Sequence, residues 1–220
     1  MSFSVMLQQL AGGMLVSIEI FFVTLLFSLP LGLLICFGRM SRNKVIRTIV
    51  SGYISIMRGT PLMLQLMVVY FGPYFIFGIR ISMGYSLIAV FIAFAINYAA
   101  YFAEIYRGGI QSVPAGQEEA GLVLGMTKTQ IFFKVKLMQM IKRIVPPMSN
   151  EIITLVKDTS LARIIALQEI IWAGQAFMKG SQGIAGEIWP LFFTAVYYLI
   201  FNGVLTVLLE RLERKLDYFR

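Results

Sequence analysis

Three side chains able to hold a cation sit at helical spacing in the apolar stretch NEIITLVKDTSLARII, residues 150 to 165. Glu151 and Asp158 are seven residues apart, which on a helix is two turns, or about 10 Å at roughly 1.5 Å per residue. Thr154 lies between them at the i+3 and i+4 spacings, so the three share a face. Two carboxylates and a hydroxyl in a low-dielectric setting suit an ammonium or guanidinium group. The same carboxylates can instead be internal partners of Lys157, of Arg58 or of a residue across a dimer interface. Lys157 neighbours Asp158 and so points off the shared face, while Arg163 stands near the end of the run, where a long side chain can snorkel.

A second polar group lies at Arg58-Gly59-Thr60-Pro61. Proline removes a backbone donor and glycine weakens a helix, so the chain is expected to kink or break there and expose backbone groups. A broken helix offers carbonyls and amides to a zwitterion, and Thr60 and Gln65 are the side chains placed to join them; a plain packing kink is the alternative. Glu104 and Arg107 have the i+3 spacing of a local ion pair, and Glu19 is expected to meet a partner or water near one end of its run.

The elements that carry these groups follow from composition. The chain is 58% hydrophobic and 14% charged, against about 25% charge in an average soluble domain. Its mean hydropathy is +0.79, as expected of an integral membrane protein. With no histidine and one cysteine, the sequence has no disulfide framework and no His/Cys metal cluster. The net charge of +8 does not point to nucleic acid, because the basic residues gather beside apolar runs as the positive-inside rule requires. Most fall in three groups: Arg39, Arg42, Lys44 and Arg47; Arg107, Lys128, Lys134, Lys136, Lys142 and Arg143; and Arg211, Arg214, Lys215 and Arg220.

Apolar runs near 14–37, 49–72, 85–106, 144–166 and 188–209 have the roughly 20 residues needed to cross a membrane. The expected architecture is all-α: a single polytopic transmembrane domain over residues 1–220 with five transmembrane helices. Putting the three basic groups in the cytoplasm places the N-terminus outside and the C-terminus in the cytoplasm, with Arg80 and Lys179 the basic residues of the outer loops. The first run is too long for a signal-peptide core and has no basic segment before it. The fourth helix is expected to begin at Pro146 and Pro147.

One loop is large, the cytoplasmic segment 107–143. Pro114 and Gly116 mark a turn, after which Glu118 and Glu119 fall in the first turn of a short helix, where the helix dipole favours negative charge. Gly125 is expected to stop that helix, and Thr127 with Gln130 fits a capping box that starts the next.

Glu119-Ala120-Gly121, Gly125 three residues further on, and Val135-x-Leu137 after nine more resemble the EAA loop of ABC importer permeases. RGTPLMLQL at 58–66, AEIYRGGIQSVPAGQ at 103–117 and PPMSNEIITLVKDTSL at 146–161 are similar to the polar amino acid branch of that family. The resemblance covers 58 to 161; the first fifty residues and the last helix match in hydrophobic character alone. Gly121 stands where the family has its second alanine, Met138 where it has a proline, and Met140 where it has an alanine. The resemblance implies that Glu119, Ala120, Gly121 and Gly125 form a coupling helix that docks on a separate ATP-hydrolysing subunit.

That subunit would carry ATP and Mg, with no cofactor on this chain, which has no G-x-x-x-x-G-K-[ST] loop. The implied partners are an ATP-binding subunit dimer, a second permease chain (a homodimer, or a related partner), an extracytoplasmic amino-acid-binding protein and an amino acid substrate. The implied place is a bacterial inner membrane. The function so implied is a permease subunit of an ATP-driven importer of polar amino acids, the carboxylate stripe favouring a basic one. The competing reading is a passive channel or facilitator for small polar solutes. An intramembrane enzyme lacks a histidine base and a G-x-S-x-G elbow.

Overall fold

The computed structural model describes residues 3–82, 84–180 and 184–216, with side chains given except at 177–180 and 184–187. The Lys179 side chain and Arg220 lie outside the described residues. Every regular element among them is helical: α1 (Phe3–Arg39), α2 (Lys44–Gly59), α3 (Leu62–Phe77), α4 (Tyr85–Gln111), α5 (Gly116–Val123), α6 (Lys128–Ile131), α7 (Leu137–Asp158), α8 (Ile170–Gly180) and α9 (Ile184–Leu216). A π-helical turn, Phe132–Lys136, joins α6 to α7, and a 3-10 segment, Thr159–Ile165, follows α7.

Among the described residues, three helices are long and apolar enough to cross a membrane: α1, α4 and α9 over Ile188–Leu216. The apolar run near 49–72 is not one helix. It is the pair α2 and α3, bent by 106° at the Gly59–Pro61 break, and the pair counts as a fourth candidate if it forms one span. The 22-residue α7 is of spanning length, but Lys142, Arg143, Glu151, Lys157 and Asp158 dilute its apolar character.

The start expected for the fourth helix is corrected. Pro146 and Pro147 lie inside α7, which is continuous with α6 through the π-turn. The prolines take two amides out of the ladder and free the carbonyls of Lys142 and Arg143. Those residues line an open recess of about 820 Å³ bordered by Lys134, Met138, Glu213 and Arg214, so the loss falls at a polar level of the molecule.

α1 and α4 form the spine. Gly13, Ser17, Thr24, Ser28, Gly32 and Cys36 are small buried residues along α1, and Ala89, Ala93, Ala99, Ala100 and Ala103 are buried along α4. Gly32 and Cys36 meet α4 at Ala99, Ala100 and Ala103, while Gly13 lies against Glu169 and Ile170 at the start of α8. Small residues let backbones approach closely where lipid offers no hydrophobic drive for association. A methyl added at Gly32 would come within 2.9 Å of Phe102 Cβ and 3.0 Å of the Ala99 carbonyl. Around this spine Ile20, Phe21, Leu66, Phe94, Tyr98, Phe102, Leu155 and Ile165 make the principal core, so α3, α7 and the 3-10 segment all pack on it. α8 seals one end of α1 through Leu10, Met14 and Ile170. Its first turn is capped by the buried Glu169, which accepts from the amides of Ile171 and Trp172, both at 2.8 Å.

The segment between α4 and α7 is folded. Gly125 takes φ +73° after α5, a conformation that favours glycine. Thr127 and Gln130 form the expected capping box at α6. Gly121 is buried because it faces Ile131, whose Cγ1 would lie 2.6 Å from an added methyl. Lys136 donates to Glu118, and this hydrogen bond holds the Glu118 carboxyl below the usual carboxylate range.

Two outcomes follow from these close approaches. Gly32→Leu overpacks the α1–α4 contact at a cost of about 1–3 kcal/mol, read as a lowered thermal midpoint in detergent; an unchanged midpoint refutes the close approach. Gly121→Ala and Ile131→Ala are coupled: by hydrogen exchange of the 116–131 amides, the double variant loses about 0.5–3 kcal/mol less than the sum of the singles. Simple additivity would mean that the two side chains do not compete for space.

Candidate functional site

The α2–α3 break frees backbone carbonyls, and side chains take them up. Gln65 Nε2 donates to the carbonyls of Met57 (2.9 Å) and Thr60 (3.1 Å) and to Thr60 Oγ1 (2.8 Å). Thr60 Oγ1 in turn donates to the Ile56 carbonyl at 2.8 Å. From α4, Asn97 Nδ2 donates to the Met57 carbonyl (3.0 Å) and to Gln65 Oε1 (2.9 Å). Tyr53 of α2 donates to the Ile96 carbonyl, a second tie between the bent arm and the spine. Thr60 and Gln65 are therefore engaged with the broken backbone. Asn97 is the residue that sequence reasoning missed, and its signal was an amide inside the apolar run AFAINYAAYF.

The three residues of the α7 stripe meet different surroundings. Asp158, at the end of α7, accepts from the Tyr98 hydroxyl at 2.7 Å, and Tyr98 is 2% exposed. Thr154 Oγ1 donates to the Asn150 carbonyl one turn back, at 2.9 Å. Glu151 opens onto a cavity of about 410 Å³ whose wall includes Arg58, Tyr101, Glu104, Arg143 and Pro147. Arg58 lies over the Tyr101 ring, 5.2 Å from its centroid. Tyr98 and Tyr101, one turn apart on α4, thus stand opposite Asp158 and Glu151. The i+3 spacing of two tyrosines in an apolar helix was the available signal for them.

The other charges around this cavity are committed elsewhere. Glu104 accepts from Arg107 at 2.5 Å, with Arg39 at 3.7 Å, so the expected i+3 pair is present and α1 joins it. Arg143 donates to the Ser112 carbonyl. Among the described residues, no ion pair within 4.0 Å involves Glu151, Asp158, Lys157 or Arg58.

The helical unit between α4 and α7 presents a second surface. Glu119 and Ala120 are exposed and Gly121 is turned inward. Val123 is 87% exposed and Leu124 78% exposed. Two bare aliphatic side chains thus stand at the end of a short polar helix.

Relatives with these features are transport proteins. The family model described as binding-protein-dependent transport system inner membrane component matches residues 28–218. The L-cystine transport system permease protein TcyB of Bacillus subtilis (strain 168) is 35% identical over 96% of this chain and 87% of its own length. The glutamine transport system permease protein GlnP of Escherichia coli (strain K12) is 36% identical over 86% of this chain and 84% of its own. The arginine transport system permease protein ArtQ of Bacillus subtilis (strain 168) is 32% identical over 93% and 90%. A crystal structure of an amino acid ABC transporter with histidines superimposes with a TM-score of 0.85 at 31% identity, covering 98% of this chain and 99% of that one. The inward-facing MetNI methionine ABC transporter shares the fold at a TM-score of 0.70 and 20% identity, over 99% of this chain and 100% of that one. With the family model covering residues 28–218 and permease relatives at 32% to 36% identity along most of its length, this helical chain belongs to the binding-protein-dependent transport system inner membrane components.

Proposed function

We propose that the chain is the translocation subunit of an ATP-driven importer for polar amino acids. The observation that carries this is the α7 stripe: two carboxylates that form no ion pair within 4.0 Å among the described residues, held beside tyrosines on the spine helix. The cystine, glutamine and arginine systems among its relatives support an amino acid as cargo. Glu151, Thr154 and Asp158 form the cation-reading stripe, and the backbone of the α2–α3 break, shaped by Thr60 and Gln65, forms the facing wall. Carboxylates in this setting favour arginine, lysine or histidine, because an ammonium or guanidinium replaces water with charge-assisted hydrogen bonds.

In this reading the chain is one transmembrane domain over 1–220 with five spans, α7 included. The N-terminus is outside and the C-terminus cytoplasmic. Two copies pair, an extracytoplasmic amino-acid-binding protein delivers cargo, and ATP and Mg are held by a partner ATPase dimer. The α5 helix docks on that partner through Glu119, Ala120, Val123 and Leu124, while the buried Gly121 and the turn at Gly125 set its projection. Docking there makes mechanical sense, since α6, the π-turn and α7 run as one rod from the docking unit to Glu151 and Asp158. A displacement of α5 is carried along that rod to the stripe.

Reconstitution of the chain with its ATPase and binding protein is expected to give amino acid uptake that requires ATP; uptake without nucleotide would favour a passive channel. Glu119→Lys abolishes that uptake while leaving membrane insertion intact, and normal uptake in the variant removes the coupling assignment. Asp158→Asn and Glu151→Gln each weaken transport of L-arginine about tenfold or more, on the scale of a lost hydrogen bond to a charged group. Unchanged L-arginine competition in both variants would make the carboxylates structural.

A further inference from the structure

The cavity beside Glu151 holds groups of both signs, and only two of them are uncommitted. Glu104 is held by Arg107 and Arg39, and Arg143 donates to the Ser112 carbonyl. What remains is Glu151 on α7 and Arg58 at the end of α2, with no ion-pair partner for either within 4.0 Å among the described residues. Arg58 is not loose. Its guanidinium lies over the Tyr101 face at 5.2 Å, a cation–π contact that fixes its plane and leaves its edge donors open.

One uncommitted cation and one uncommitted carboxylate on the same cavity wall match a ligand that carries one of each. The cavity volume of about 410 Å³ admits a small organic zwitterion with water. The guanidinium fork matches a carboxylate in a bidentate manner, which an ammonium-reading carboxylate alone cannot do. Arg58 is also the residue that precedes the Gly59–Pro61 break, so its position depends on the same bend that Gln65 and Asn97 hold.

We infer that Arg58 reads the α-carboxylate of the cargo while Glu151 reads its ammonium. The permease then selects for a free amino acid and against the same side chain on a blocked or missing carboxylate. This rests on the amino acid reading above and adds a specificity residue to it. A bare cation such as a polyamine satisfies Glu151 and leaves the guanidinium facing it, so it is rejected by repulsion as well as by a missing contact.

The test is equilibrium binding to the permease in complex with its ATPase, without binding protein, so that the permease alone discriminates. The probes are L-arginine, L-glutamine and L-cystine, each against its carboxamide analogue. The unmodified permease is expected to prefer the free carboxylate by roughly tenfold or more. Arg58→Gln removes that preference by weakening the acid and leaving the amide unchanged, and Arg58→Lys restores part of it. Equal losses for acid and amide in Arg58→Gln, or no loss for either, overturn the inference, with thermal midpoints of both variants confirming that they are folded. If none of the three amino acids binds the unmodified permease, the amino acid reading itself fails, and the inference falls with it.

Discussion

A backbone carbonyl in an apolar medium must find a donor, and this requirement organises the molecule around Gly59–Pro61. The chain turns through 106° there, and the carbonyls it frees are taken by Gln65 from the far side of the bend and by Asn97 from the spine helix. Unsatisfied, each would cost several kcal/mol in the hydrocarbon region. The amide of Asn97 thus does more than pair with Gln65. It ties the bent arm to α4, and α4 is the helix that carries Tyr98 and Tyr101 to the carboxylates of α7.

The same economy governs the charged groups. Lys136 with Glu118, and Glu104 with Arg107 and Arg39, are matched pairs that hold elements together. Glu151, Asp158 and Arg58 have no ion pair within 4.0 Å among the described residues, and Asp158 is met by the Tyr98 hydroxyl. Of these, Glu151 and Arg58 line one cavity. α6, the π-turn and α7 run without interruption from the turn after α5 to Glu151 and Asp158. The π-turn lies near the α5 end of this helical run, where an extra residue in the helical ladder lets the short α6 and the long α7 be set at their own angles.

Close packing supplies the rigidity that such a device needs. The small residues of α1 bring its backbone against α4, and Gly121 does the same on a smaller scale against Ile131. The glycine that departs from the family's alanine therefore has a local cause: a large aliphatic side chain on the next helix occupies the space.

Much of this was legible in the sequence, because it depends on local chemistry. The helical spacing of Glu151, Thr154 and Asp158, the break at Gly59–Pro61, the Thr127–Gln130 capping box, the turn at Gly125 and the Glu104–Arg107 pair all depend on neighbours within a few residues. The continuity of α7 through Pro146 and Pro147 was not legible, since a proline pair reads as a helix start unless packing and a polar level accommodate the lost amides. Nor was it legible that Asp158 meets Tyr98, that Asn97 meets Gln65, or that Arg58 and Glu151 border one cavity. Those contacts join residues 32 and 60 positions apart in the two hydrogen-bonded cases, and they exist because small residues let α1 and α4 form a spine on which the other helices are arranged. The sequence by itself determined which residues are able to bind a charged solute; the tertiary structure decided which of them are already spent on holding the protein together.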